Sequence, residues 1–266
     1  MHSKVDQQRF GALERLYGSG ALAKLARAHV AVVGVGGVGS WAAEAFARSG
    51  VGALTLIDAD DVCLANTNRQ SHALAGNIGR AKVAVLAERL HAINPALRCD
   101  ARAEFLTPKN LETLLDRGFD AVLDACDSFR VKVEAIAWCR RRKLPIVVCG
   151  SAGGRTDPTL VTARDLSRTE LDVMLGQVRR KLRNEFGFPR NTERYFGVPA
   201  VYSREHPRYP HGDGSVSCKR PEERSRGRRL DCGEGFGAAM HVTATFAMVA
   251  VSRVIAKVLA AAEKES

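Results

Sequence analysis

The stretch from His29 to Ser40 reads HVAVVGVGGVGS, a short run of β-branched residues followed by a cluster of glycines. The apolar run predicts a buried strand, and the residues from Gly39 onward predict a helix. Glycines between a strand and a helix allow a sharp turn and bring backbone N–H groups close to phosphate oxygens, because no Cβ intervenes. The stretch therefore predicts the first βα unit of a nucleotide-binding sheet.

The alternation of strands and helices continues to Gly150. Further strands are predicted at 53–58, 98–105, 119–124 and 145–149, and helices at 80–93, 108–117 and 128–143. Strands separated by helices of this length are typical of βαβ units with right-handed crossovers. The predicted fold class is α/β, with a Rossmann-like, mostly parallel sheet and helices on both faces. After Gly150 we expect a loop-rich extension with a helix at 171–186, a short strand at 198–203 and a C-terminal helix.

Length and composition are those of a globular protein. The 266 residues are 45% hydrophobic and 26% charged, values that exclude a disordered or fibrous chain. We expect one domain over 1–266, divided into an N-terminal helical segment (1–28), a nucleotide-binding core (29–150), and substrate-facing loops with the C-terminal helix (151–266).

The cysteines and the chain ends bear on the compartment. The 7 cysteines are odd in number and form no Cys-x-x-Cys pair, so a disulfide framework and a structural zinc site are not expected. The polar first ten residues do not resemble a signal peptide, which favours the cytoplasm. The charge-free stretch 235–252 is about as long as a membrane span, but it lacks leucine. A buried helix is the favoured interpretation, and peripheral membrane contact remains an alternative.

Positive charge is concentrated in the second half of the chain. The formal net charge is +11, and residues 176–229 contain 14 Lys or Arg against 6 Asp or Glu. Such a region is either a solvated face or a surface for a polyanion such as RNA.

Polar residues surround the predicted glycine turn. Asp58, at the end of the second strand, fits the ribose acceptor that accompanies such turns. The chemistry of hydride transfer gives no role to further cations or a magnesium carboxylate beside the phosphates, whereas adenylyl transfer uses both. The residues that predict adenylyl transfer are Asp60, Asn66, Arg69, Lys82 and Asp127.

Several motifs occur in a fixed order. They are GVGGVGS at 34–40, Asp-x-Asp at 58–60, Asn-x-x-Arg-Gln at 66–70, Lys82, and Asp-x-x-Asp at 124–127. Together they resemble the ThiF/MoeB/E1-like adenylating superfamily. RFGALERLYG at 9–18 and RLDCGEGFGAAMHVTATFAMVAVS at 229–252 resemble its tRNA threonylcarbamoyladenosine dehydratase branch.

The resemblance implies ATP and Mg²⁺ as cofactors and assigns a role to each matching residue. The implied catalytic residues are Arg69, Lys82, Asp127 and Arg9, with Asp127 as the metal ligand. The implied nucleotide-binding residues are Gly34, Gly36, Gly37, Gly39, Asp58, Asp60, Asn66, Arg69, Lys82, Asp127 and Ser128. Arg9 or Arg15 would reach the nucleotide of a second subunit, which implies a homodimer.

The implied activity is ATP-dependent cyclisation of N6-threonylcarbamoyladenosine in tRNA through carboxylate adenylation. The resemblance also makes Cys232 a candidate acceptor of the activated carboxylate or of sulfur, with a sulfur-transfer protein as a partner. An alternative activity is adenylation of the C-terminal carboxylate of a sulfur-carrier protein. A non-catalytic nucleotide-binding scaffold and an NAD-dependent oxidoreductase are further alternatives, disfavoured by Arg69, Lys82 and Asp127.

Overall fold

The computed structural model describes residues 4–219 and 236–261. Every strand that the sequence predicts is present. The strands of the described chain are β1 (His29–Val33), β2 (Ala53–Ile57), β3 (Arg98–Arg102), β4 (Ala121–Asp124), β5 (Ile146–Cys149), β6 (Val161–Asp165), β7 (Pro199–Ser203), β8 (Tyr209–Pro210) and β9 (Val216–Ser217).

Seven strands form one sheet in the order β3-β2-β1-β4-β5-β7-β6. All neighbouring pairs are parallel except β6 and β7, which are antiparallel. Val33 at the end of β1 lies beside Ile57 of β2 and Asp124 of β4. The residues that follow these three strands therefore meet at one edge, here called the carboxyl edge. The predicted mostly parallel sheet is confirmed.

Helices cover both faces of the sheet, as predicted. Leu25, Phe46, Leu86 and Phe246 belong to the hydrophobic core on one face, and Ile136 belongs to the core on the other. The helices of the described chain are α1 (Lys4–Phe10), α2 (Ala12–Tyr17), α3 (Ala21–Arg27), α4 (Gly39–Arg48), α5 (Lys82–Ile93), α6 (Leu111–Leu115), α7 (Phe129–Arg141), α8 (Val173–Glu185) and α9 (Met240–Ala261).

Several elements differ from the prediction: strands β8 and β9 were not predicted, and β3 ends at Arg102 rather than at 105. Helix α6 begins at Leu111 rather than at 108, because the Asn110 side chain accepts a hydrogen bond from the backbone N–H of Thr107 (2.7 Å) and forms a turn there. Strand β6 was not predicted. Its sequence, VTARD, contains two charged residues, and the strand is the antiparallel edge of the sheet, where no other strand of the described residues pairs with its outer side.

Helix α9 packs one face against the sheet and α4. Val242, Phe246, Ala250 and Val254 are buried, whereas Met248 is exposed. By length and composition this helix could cross a membrane, and 39% of its most apolar window is buried within the protein. The expected C-terminal helix is thus present, with one face in the core.

Candidate functional site

The glycine turn joins β1 to α4 and is too tight for side chains at two positions. Gly34 has φ +80°, and a Cβ there would lie 2.9 Å from the backbone of Cys126 in the loop after β4. A Cβ on Gly39 would lie 1.8 Å from the carbonyl oxygen of Gly34. The turn therefore closes on itself and presents the first N–H groups of α4 at the carboxyl edge, where an anion can bind them.

Asp58 holds this turn to the end of β2. One carboxylate oxygen accepts a hydrogen bond from the backbone N–H of Val35 (2.8 Å), and the other accepts one from that of Asp60 (2.9 Å). The side chain is buried, and a carboxylate has lone pairs left after two such bonds. Asp58 therefore shapes the loop and retains capacity for the predicted ribose contact.

Lys82 begins α5 and points toward the same edge. Its ammonium lies 2.7 Å from Oδ2 of Asp60, and its backbone N–H donates to the Asp60 carbonyl (3.0 Å). The Lys82 side chain is 7% exposed, whereas that of Asp60 is 52% exposed. A buried ammonium with one exposed carboxylate partner can exchange that partner for a phosphate oxygen without moving far.

Asn66 ends a short 3-10 helix (Leu64–Asn66) after β2, and Arg69 lies in the turn that follows. The buried Asn66 side chain accepts a hydrogen bond from the backbone N–H of Cys63 (3.1 Å) and so shapes this segment. Arg69 donates from Nη1 to the Ala65 carbonyl and to Asn68, both at 2.9 Å. A Cβ on Gly37 would lie 3.4 Å from Cγ of Arg69, so the arginine packs directly over the glycine turn.

Asp127 lies in the loop between β4 and α7, with Ser128 immediately before that helix. Asp127 and Ser128 are both exposed at the carboxyl edge. Asp58 is bound by backbone N–H groups, Asp60 by Lys82 and Asp124 by Lys132. Among these four aspartates, Asp127 alone has no hydrogen bond or ion pair in the described structure.

The donor set fits Mg²⁺ held jointly with phosphates. In the described residues no three His, Cys, Asp or Glu side chains cluster in a way that could hold a metal alone. Mg²⁺ in nucleotide sites commonly takes one or two carboxylates and completes its shell with phosphate oxygens and water. The free carboxylate of Asp127 beside the glycine turn meets that requirement.

Arg9 is not near the glycine turn of its own chain. Its neighbour Phe10 packs on Gly50, in the turn between α4 and β2 at the opposite edge of the sheet. Both Arg9 and Arg15 are exposed there. Cys232 lies outside the described residues.

Sequence reasoning missed several polar residues of this edge. His72 is fully buried, its Nε2 lies 2.8 Å from the Val35 carbonyl oxygen, and burial lowers its pKa. Lys132 forms a buried pair with Asp124, and Arg155 follows Gly153-Gly154 after β5. In the sequence, only the position of Arg155 indicated a role, because it comes soon after a strand that ends at the carboxyl edge.

Comparison with known proteins identifies the family of the chain. The ThiF family profile matches residues 10–266. The tRNA threonylcarbamoyladenosine dehydratase of Escherichia coli K12 is 49% identical over 259 residues, 97% of this chain and 96% of the relative. The dehydratase of the same name from Haemophilus influenzae is 45% identical over 253 residues, 95% of this chain and 94% of the relative.

A solved structure resembles the whole chain. The crystal structure of E. coli tRNA N6-threonylcarbamoyladenosine dehydratase in complex with ATP superposes with a TM-score of 0.88 at 45% identity, covering 100% of both chains. The expected resemblance and the expected fold are thereby confirmed. The chain belongs to the ThiF family and, within it, to the tRNA threonylcarbamoyladenosine dehydratase branch.

Proposed function

We propose that this protein uses ATP to cyclise N6-threonylcarbamoyladenosine in tRNA, with net loss of water. The chain is similar over its full length to tRNA threonylcarbamoyladenosine dehydratases, and the structure of one of them was solved in complex with ATP. This similarity supports the activity. The observation that carries the proposal is the arrangement at the carboxyl edge, where Lys82, Arg69 and Asp127 surround a glycine turn.

In the first step a carboxylate oxygen of the threonine moiety attacks the α-phosphorus of ATP, and pyrophosphate leaves. Lys82 and Arg69 stabilise the negative charge that develops on the phosphates, as fixed cations do in phosphoryl and adenylyl transfer. Asp127 would hold Mg²⁺, which neutralises charge on the leaving pyrophosphate when bound. Asp58 orients the ribose, and Asn66 and Ser128 shape the loops around it.

In the second step the carbamoyl group of the same nucleoside attacks the activated carbonyl. AMP leaves with the oxygen that belonged to the carboxylate, and the carbamoyl group loses a proton to solvent. Because both reacting groups are on one substrate, closure is intramolecular and positioning provides much of the rate. We propose no thioester in this reaction.

We further propose a cytoplasmic homodimer. Arg9 lies at the edge opposite its own glycine turn, so contact with a nucleotide requires a second subunit. An arginine in that position would donate two hydrogen bonds to a terminal phosphate.

The proposed function is tested by incubating unmodified and N6-threonylcarbamoyl-modified tRNA with protein, ATP and Mg²⁺. Mass analysis of the nucleosides should find a product that is lighter than N6-threonylcarbamoyladenosine by one water molecule. This product should form from the modified tRNA and not from the unmodified tRNA. ATP–pyrophosphate exchange should likewise depend on the modified tRNA. Exchange that depends instead on a sulfur-carrier protein would contradict the proposal and support the alternative.

A further inference from the structure

A cavity of about 180 Å³ opens at the carboxyl edge, beside the residues that follow β5. Its lining includes Ser151, Arg155, Met174, Tyr209 and Phe236. The rings of Tyr209 and Phe236 lie 5.2 Å apart at 54° and together provide an aromatic surface. Nucleic-acid bases stack on surfaces of this kind with little dependence on base identity.

Arg155 is the buried cation of this cavity. Its residue is 3% exposed, and Nη2 donates to the carbonyl oxygen of Leu171 (2.9 Å). Nε and Nη1 are also buried, yet neither has a hydrogen-bond partner in the described structure. A buried guanidinium with two donors that lack hydrogen-bond partners carries a large desolvation cost. We therefore expect a ligand to provide a hydrogen-bond acceptor here.

The nearby carboxylates do not fill this role. Asp172 accepts hydrogen bonds from the backbone N–H groups of Ser151 and Leu175, both at 2.8 Å. Glu205 accepts from the backbone and hydroxyl of Thr156 (both 2.8 Å) and from the backbone of Asp157 (3.0 Å). Both acids are thus bound by neighbours other than Arg155. Desolvation lowers the pKa of Arg155 despite their attraction.

The cavity is connected to the nucleotide site through the residues just before α9. Gly154, next to Arg155, donates its backbone N–H to the carbonyl oxygen of Gly237 (2.7 Å). One residue further, the Ala238 carbonyl accepts from the side chain of Asn68, which neighbours Arg69 (2.7 Å). The wall of the cavity is therefore linked by hydrogen bonds to the loop that carries Arg69.

We propose that this cavity binds the RNA substrate, with an oxygen of an anionic group accepting a hydrogen bond from Nε or Nη1 of Arg155 and the adjoining base against Tyr209 and Phe236. The inference rests on the proposed function and deepens it. Two parts of the RNA carry such an oxygen group, the carboxylate of the modified base and a backbone phosphate. Both are anions to which a guanidinium donates strong, charge-assisted hydrogen bonds.

The test uses two synthetic anticodon stem-loop RNAs that differ only in the threonylcarbamoyl group. Their Kd values are measured for the wild-type protein and for Arg155→Gln, Arg155→Lys and Arg141→Gln. Arg141 is exposed at the far end of α7, so its replacement controls for loss of one positive charge. We expect Arg155→Gln to weaken binding about tenfold or more, Arg155→Lys to recover part of it, and Arg141→Gln to change little.

The two RNAs distinguish the sources of the anion. A loss confined to the modified RNA identifies the carboxylate, and an equal loss for both identifies a phosphate. Thermal unfolding accompanies each measurement, and we expect Arg155→Gln to unfold no earlier than wild type because it removes unmet donors. Unchanged affinity for both RNAs overturns the inference, as does a loss equal to that of Arg141→Gln. Wild-type protein that neither binds nor converts the modified RNA contradicts the proposed function instead.

Discussion

The ammonium of Lys132 lies 2.9 Å from Oδ1 of Asp124, and both side chains are completely excluded from solvent. Burial alone would lower the pKa of Lys132, and the Asp124 carboxylate more than offsets this and raises it. The same carboxylate accepts from the backbone N–H of Cys126 (3.1 Å). The pair thus fastens the loop that carries Asp127 to the first turns of α7.

Lys132→Met should destabilise the protein severely, because it leaves Asp124 buried without a counter-charge. We expect a loss of about 3–5 kcal/mol in the free energy of unfolding, measured with urea. Adding Asp124→Asn to Lys132→Met should recover part of that loss. Lys109→Met, at an exposed position, is the control. Equal stabilities for Lys132→Met and the control would contradict the importance of this pair.

Asp127→Asn should abolish turnover and leave stability nearly unchanged, since the Asp127 carboxylate is exposed and has no ion-pair partner in the described structure. The measurements are ATP–pyrophosphate exchange over a range of Mg²⁺ concentrations, and thermal unfolding. Glu104→Gln removes another exposed acid and should behave as wild type. Wild-type exchange by Asp127→Asn at low Mg²⁺ would rule out the proposed metal role.

Gly39→Ala should disrupt the nucleotide site, because the new Cβ would lie 1.8 Å from the Gly34 carbonyl oxygen. Overpacking of this kind costs about 1–3 kcal/mol and displaces the turn. We expect weaker ATP binding by calorimetry together with a lower unfolding temperature. Gly76→Ala is a matched control, because a Cβ there meets nothing within 4 Å. If the two variants bind ATP equally well, the turn does not hold the phosphates.

Arg9→Ala and Lys82→Ala should each be inactive alone and active when mixed, if Arg9 serves the site of a second subunit. A mixed dimer contains one site with both residues intact, so random exchange of subunits should restore about a quarter of the wild-type activity. The measurement is tRNA-dependent exchange after joint refolding of equal amounts. No recovery in the mixture would indicate that Arg9 acts within its own chain or has no role.

Glu44 should make the free energy of unfolding decrease at acid pH. Burial favours its neutral form, but Arg89 (2.7 Å) and Arg48 (2.9 Å) outweigh this and lower its pKa. The stability that Glu44 contributes is therefore complete above the ordinary glutamate pKa of 4.5 and disappears as the pH falls below it. Glu44→Gln should reduce the unfolding free energy at pH 7 and flatten its decrease below pH 4.5. Parallel pH profiles for the two proteins would refute this.

The sequence predicted what depends on local pattern. The five core strands and the glycine turn follow from apolar runs beside glycines, and Lys82 and Asp127 followed from motifs at element ends. What it could not predict depends on distant neighbours. Asp165 accepts hydrogen bonds from the backbone of Phe196 and Val198, and these bonds join β6 to the start of β7. The sequence VTARD does not indicate this pairing. The pairing of Asp60 with Lys82 and the unmet donors of Arg155 likewise appear only after folding.

Trp41 lies on α4, directly after the glycine turn, and its indole Nε1 donates to the carbonyl oxygen of Arg69 (2.9 Å). The chain has 2 tryptophans, and the other, Trp138, stacks under Arg142 on α7. A Trp138→Phe protein would therefore keep a single indole, hydrogen-bonded to Arg69, which we expect to contact the phosphates. Its fluorescence emission should report nucleotide occupancy in solution without any attached dye.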